Sequence, residues 1–187
     1  MRYFLAVLLL IAVPAMAAPK DELHAAYVKF LAYKSFRVEI DSTHGKQKAK
    51  SAVEFQAPDR YRISNDKQPP NLVIGGTMYM NMSGNMMKIP MPGLKEMLAQ
   101  YRNADMLKEL EVGVSVESLG NELLGKQMTK KYRYKATKPH VSDNTMWIAS
   151  DGNILQIETT GVMGKAPFRS VLRYSQYNSP ATKISAP

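Results

Sequence analysis

The run Met78-Tyr79-Met80-Asn81-Met82, followed by Met86, Met87 and Met91, is the densest concentration of potential ligand atoms in the chain. Successive side chains of an extended strand point to opposite faces, so the thioethers of Met78, Met80 and Met82 share one face. Thioethers are soft ligands that select copper(I), and Met128 or Met97 would add a further sulfur. No His lies in the run to complete a mixed site. The plainer use of the same residues is apolar filling, because Met is flexible and polarizable and suits surfaces that must fit variable apolar partners. Hydrolytic and transfer chemistry find no support. His24, His44 and His140 fall on a helix and two loops with no nucleophile motif beside them, and there is no G-x-S-x-G, H-E-x-x-H or Gly-rich phosphate loop. Asp59, Asp66, Asp143 and Asp151 have the surroundings of turn carboxylates. With no Cys in the chain, disulfides, thiol nucleophiles and thiolate metal sites are excluded. The expectation is a protein that is not an enzyme and needs no cofactor.

Basic residues alternate with aromatics at Arg60-Tyr61-Arg62 and along Lys130-Lys131-Tyr132-Arg133-Tyr134-Lys135. Sheets that bind nucleic acid expose their aromatics for base stacking. Here Tyr61, Tyr132 and Tyr134 continue the apolar pattern of their strands, so the rings are expected inside and the cations on a solvated outer face. The formal net charge of +9 favours anionic partners, here an anionic membrane surface or an acidic protein rather than nucleic acid. Trp147 is out of phase with Met146 and Ile148, which puts it either over the outer face or at the rim.

A fold must place these residues, and residues 1–17 are expected to stand outside it. Arg2 forms a positive n-region, Tyr3 to Val13 an apolar stretch broken by Pro14, and Ala15-Met16-Ala17 a small-x-small cleavage pattern. The stretch is about half the roughly 20 residues a membrane-spanning helix needs. Cleavage near Ala17 would release an exported, periplasmic chain covering residues 18–187 as one domain.

Within it, Leu23, Tyr27, Phe30 and Leu31 recur at near-helical spacing after Pro19-Lys20-Asp21. The period then changes to two: Phe36, Val38 and Ile40, then Val53 and Phe55, alternate with polar residues. Gly75-Gly76 between Leu72-Val73-Ile74 and Thr77 to Met82 is a two-residue hairpin signal, as is Asp151-Gly152. After Pro90 and Pro92 the helical period returns, with Leu94, Met97, Leu98 and Tyr101 on one stripe and Met106, Leu107 and Leu110 on a second. Strands resume with Val112, Val114 and Val116, then run through Met128 to Ala136, Met146 to Ile148, Ile154 to Thr160 and Phe168 to Tyr174. The tail from Ser179 to Pro187 is a surface strap or a frayed end. This spacing predicts one antiparallel, meandering sheet. Its apolar face must be covered, and two helical segments are too few to fill a strongly curved concave side completely.

The order of these elements resembles the LolA/LolB-type lipoprotein-carrier family. The resembling segments are Lys34-Ser35-Phe36-Arg37-Val38, Val53-Glu54-Phe55-Gln56-Ala57-Pro58-Asp59-Arg60-Tyr61-Arg62-Ile63, Leu72-Val73-Ile74-Gly75-Gly76-Thr77-Met78-Tyr79-Met80, and Met146-Trp147-Ile148-Ala149-Ser150-Asp151-Gly152 with Gln156-Ile157-Glu158. The resemblance implies a mainly β fold, a strongly curved antiparallel half-barrel sheet of about 10–11 strands with helices covering the concave apolar face. It also implies carriage of the acyl chains of lipids or lipoproteins toward the outer membrane, by a monomer that meets inner- or outer-membrane protein partners. One position departs. The periplasmic carriers of that family have an Arg directly before the Pro of the second-strand turn, which ties the lid shut; here Ala57 precedes Pro58, and Tyr61 stands where they have Phe.

The lipid-binding cavity is accordingly expected from Phe36, Val38, Val53, Phe55, Tyr61, Ile63, Met78, Met80, Ile148 and Ile157, and the lid from Leu94, Met97, Leu98, Tyr101 and Leu107. An envelope sensing or accessory binding module without transport is the second reading. A copper(I) protein using Met78, Met80 and Met82 is the third.

Overall fold

The computed structural model describes residues 18–66, 68–82, 85–94, 102, 105–137 and 141–187. Helix α1 spans Pro19–Ala32. Proline at its start removes a donor that has no partner there, and Asp21 and Glu22 in the first turn complement the helix dipole. Its buried residues, Leu23, Ala26, Tyr27 and Phe30, form the stripe expected from the spacing.

The strands follow as β1 (Ser35–His44), β2 (Gln47–Gln56), β3 (Arg60–Asn65), β4 (Gln68–Ile74), β5 (Thr77–Met82) and β6 (Asn85–Pro90). Helix α2 (Asp105–Val112) precedes β7 (Val116–Leu124), β8 (Gln127–Ala136), β9 (Ser142–Ala149), β10 (Ile154–Met163) and β11 (Ala166–Ser175). All eleven strands belong to one antiparallel sheet, curved but not closed. Gly75 and Gly76, at φ 57° and 80°, make the β4–β5 turn in a backbone region that side-chain-bearing residues seldom adopt.

Two expectations need correction. Val112 is the last residue of α2 and is largely exposed, and β7 begins only at Val116. The alternation of Val112, Val114 and Val116 therefore straddles a helix end, where Gly113 at φ 121° turns the chain. Strand β4 also starts earlier than its apolar residues suggest, taking in Pro69 and Pro70. These prolines sit beside a register shift between Ile63 and Asn65, and β5 pairs only with Leu72–Ile74, so their missing N–H groups interrupt little of the ladder.

The sheet order is β6-β5-β4-β3-β2-β1-β11-β10-β9-β8-β7. Rather than one meander, the chain forms two, β1 to β6 and β7 to β11, joined where β1 pairs with β11. The connection from β6 to β7 therefore runs from one edge of the sheet to the other. Leu94 and Leu110, both nearly inaccessible, lie along this connection within the core cluster, so the crossing passes over the concave face.

On the convex face, Arg37 and Arg62 both bond Glu54, and Arg62 and Arg60 donate to the carbonyls of Lys183 and Ile184 at 2.9 and 2.7 Å. The Ile184 N–H in turn donates to Gln56 Oε1 at 2.7 Å, and Ile184 is buried. The tail is thus a strap held by the charges flanking Tyr61. Trp147 covers the same face further along: its ring lies under the Lys131 ammonium, and its indole N–H donates to Glu122.

Candidate functional site

The concave face is a continuous apolar and aromatic floor. Strand alternation puts Phe36 and Val38 of β1 opposite Phe55 and Val53 of β2, which face Tyr61 and Ile63 of β3. Val73 and Met78 extend the row through β4 and β5. Across the β1–β11 seam, Tyr174, Ile157, Met146 and Tyr132 continue it. Of the expected cavity residues, Phe36, Val38, Val53, Phe55, Tyr61, Ile148 and Ile157 are buried in a single cluster, and Ile63 and Met78 pack partly buried against it. Met80 is half-buried on the same face of β5. Of the expected lid residues, Leu94 belongs to the cluster and Leu107 packs against it. Met97, Leu98 and Tyr101 lie outside the described residues.

Most of this floor is closed off by the protein itself. Phe36 and Phe55 have no accessible surface, and neither has Leu110 of α2, which comes down upon the cluster. Ring contacts knit the floor to α1: Phe30 lies 5.0 Å from Phe36 and 5.2 Å from Tyr174, and Phe36 lies 5.2 Å from Phe55. An open cavity of about 600 Å³ lies beside α2, bordered by Lys108, Glu109, Val112, Val114 and Lys135 rather than by the floor residues.

Polar ties hold the helices down. Tyr27 of α1 and Tyr134 of β8 share a buried hydroxyl–hydroxyl hydrogen bond at 3.2 Å. Burial, and then the neighbouring phenol, push Tyr27 well above the usual range; burial does the same for Tyr134. Glu109 contributes to both shifts, and both of its carboxylate oxygens are buried without a hydrogen-bond partner. Glu22 of α1 accepts from the Tyr132 hydroxyl and from Lys130 at 2.7 Å. Lys130 thus lies on the Tyr face, not on the outer face where its basic neighbours sit.

Burial raises the Glu22 pKa, but the bonds from Lys130 and Tyr132 outweigh it and hold the carboxyl below its ordinary 4.5. A depressed folded value means that the stabilisation is complete above about pH 4.5 and is lost as pH falls through the folded pKa. E22Q is therefore expected to unfold more easily than wild type by about 1–2 kcal/mol at neutral pH. The gap in thermal midpoint, followed by circular dichroism from pH 7 downward, should close on acidification; a gap independent of pH would refute the charge-based tie.

Ala57 donates its N–H to the Lys34 carbonyl at 2.7 Å and packs partly buried against the core cluster. Arg102, on the β6–β7 crossing, reaches in from the lid side. Its guanidinium carbon stands 4.6 Å from the Phe55 ring centroid, and its Nη2 donates to the Leu31 carbonyl. Its Nε is buried without a partner, and burial lowers its pKa, an effect that nearby Tyr61 partly offsets. A cation–π contact of this kind is worth about 1–2 kcal/mol when desolvated. Among the described residues no acid–base or nucleophilic set is brought together, and no three His, Cys, Asp or Glu side chains are grouped to hold a metal.

No protein-family model matches the chain, and no curated protein matches it by sequence. Solved structures do match. The lipoprotein LppX of Mycobacterium tuberculosis superposes with a TM-score of 0.63 at 16% identity, over 88% of this chain and 97% of that one. LprF of Mycobacterium bovis gives 0.62 at 13% identity, over 89% and 96%. The fold is shared. MucB, in its complex with MucA from Pseudomonas aeruginosa, gives 0.53 at 11% identity, over 90% of this chain and 61% of that one.

Of the residues that the sequence left unassigned, Leu110 and Tyr132 were visible as members of apolar stripes. Arg102 and Glu109 had no local signal at all, because their burial follows from the path of the crossing rather than from their neighbours in sequence.

Proposed function

We propose that this protein is an exported, periplasmic binder of acyl chains that carries lipids or lipoproteins toward the outer membrane. The supporting observation is the uninterrupted apolar floor of an unclosed, curved sheet, covered in the described residues by two short helices and a crossing segment instead of a second sheet. The floor from Phe36 to Ile157 would line the bound chain, and Leu94, Leu107 and their neighbours would cover it. Burial contributes about 0.8 kcal/mol per CH₂, so a 16-carbon chain would gain roughly 10 kcal/mol before ordering costs. Part of that gain is offset by displacing Leu110 and the Arg102–Phe55 contact, which occupy the floor in the closed form. No catalytic residue is needed.

The direct test is uptake. Delipidated protein should bind a fluorescent fatty acid, and protein purified from the envelope should release lipid in native mass spectrometry. If no probe is taken up and no lipid co-purifies, the carrier reading fails. A sensing or accessory role on the same floor is the second reading, and the likeness to MucB, solved with MucA, supports it at the level of fold. One stable protein partner in a pull-down, captured equally by delipidated protein, would favour it over carriage.

A further inference from the structure

We propose that the β5–β6 edge of the concave face holds a thioether site for copper(I), formed by Met80, Met82 and Met87 with Met78 behind them. The register carries the argument. Met80 of β5 is paired directly with Met87 of β6, and Met78 with Ile89. Residues directly opposite on antiparallel strands have Cβ atoms about 4.5–5.5 Å apart and share a face. Met82 follows Met80 on that face one pleat repeat away, about 6.5–7 Å along the strand. Three unbranched side chains, each with three rotatable bonds, therefore rise from one small patch and can bring their sulfurs together.

Exposure separates this patch from the floor beside it. Met78 packs against the core cluster, Met80 is half-buried, and Met82 and Met87 are 51% and 45% exposed. Side chains serving only as core would be covered, as Phe36 and Val53 are. Here the sulfurs pass from the core boundary to solvent, where an ion can reach them with an apolar wall on one side. The structure also changes which sulfurs take part. Met128, an early candidate for a further ligand, is paired with Leu123 near the opposite edge of the sheet order. Met87, which the one-strand spacing does not reveal, is in register. Met86 is paired with Asn81 and points to the other face.

Neutral thioethers favour a soft monovalent ion over zinc or other harder divalent metals. They carry no proton to lose, so affinity should not change with pH, unlike that of sites built from His or Cys. The site meets the margin of the floor at Met78 and Met80, while Met82 and Met87 lie beyond it and are exposed.

The test is an anaerobic titration of the purified protein with copper(I) against the chromophoric chelator bicinchoninate. One equivalent should bind with submicromolar affinity, unchanged between pH 8 and pH 6, and X-ray absorption should show sulfur-only coordination. M82L/M87L should weaken binding by about a hundredfold while keeping its thermal midpoint, because Leu and Met are nearly equal in volume. M86L should bind as wild type does. Binding no tighter than micromolar, undiminished binding by M82L/M87L, or affinity that falls with acidification would overturn the site. Fatty-acid uptake by M82L/M87L, whose altered residues lie outside the expected cavity, should persist in every case, which keeps failure of this site distinct from failure of the carrier reading.

Discussion

Phe36→Ala is expected to lower folding stability by about 3–5 kcal/mol, the usual range for emptying a buried aromatic position. Phe36 has no accessible surface, and its ring meets Phe30 at 5.0 Å, Phe55 at 5.2 Å and Tyr174 at 6.0 Å. Those rings belong to α1, β2 and β11, so one side chain links the covering helix to both meanders at their seam. Each aromatic pair adds about 0.5–1.5 kcal/mol beyond area burial. Urea unfolding of wild type, F36A and F36L checks this, with F36L losing much less because it fills most of the volume. A loss below about 1 kcal/mol for F36A would mean that the space beneath α1 is loosely filled, contrary to the packing described.

Leu110→Ala should act on the cover instead of the floor. Among the described side chains of α2, Leu110 is fully buried, while Lys108, Glu111 and Val112 are exposed. Truncating it should weaken docking by about 2–5 kcal/mol, and each 1.4 kcal/mol is about a tenfold change in the opening equilibrium. Hydrogen exchange of the α2 amides should accelerate by more than about tenfold while β1 and β2 keep their protection. Under the carrier reading, the same variant should take up a fluorescent fatty acid faster, because the open form is more populated before ligand arrives. Equal acceleration in β1, β2 and α2 would show instead that α2 and the sheet open as one unit.

The floor was largely legible in the sequence because strand alternation is local. Phe36 and Val38, Val53 and Phe55, and Tyr61 and Ile63 each carry the period-two pattern within a few residues, and pairing only aligns what each strand already separates. The burial of Tyr132 and Tyr134 followed from the same logic. Lys130 escaped it because an ammonium on the inner face is tolerable only with Glu22 of a distant helix to receive it. Val112 ends α2 in spite of its strand-like spacing, because three valines at spacing two satisfy a strand pattern wherever the helix happens to end. Trp147 needed a partner on β8, Lys131, and one on β7, Glu122, before its side of the sheet had a reason.

The least legible features are those fixed by topology. Nothing near residue 102 in sequence signals a guanidinium over Phe55; that contact exists because the chain must return from β6 to β7 across the hollow. The strap is similar. Ile184, the one large apolar residue of the tail, carries little weight alone, and becomes a buried anchor only beside Gln56, Arg60 and Arg62.

The seam between β1 and β11 also governs the order of folding. Every other strand pair joins sequence neighbours and can form as a local hairpin, whereas Arg37 must find Ser175 across nearly the whole chain. Pairings of such separation come late, because the entropy of closing the loop is lost before the contacts compensate for it. A chain in which only the sequence-neighbour hairpins had formed would hold two half-sheets with their apolar faces open to water and their central strands standing as edges. That state would be the aggregation-exposed part of the protein's life. It would end when the first and last strands meet at the middle of the sheet.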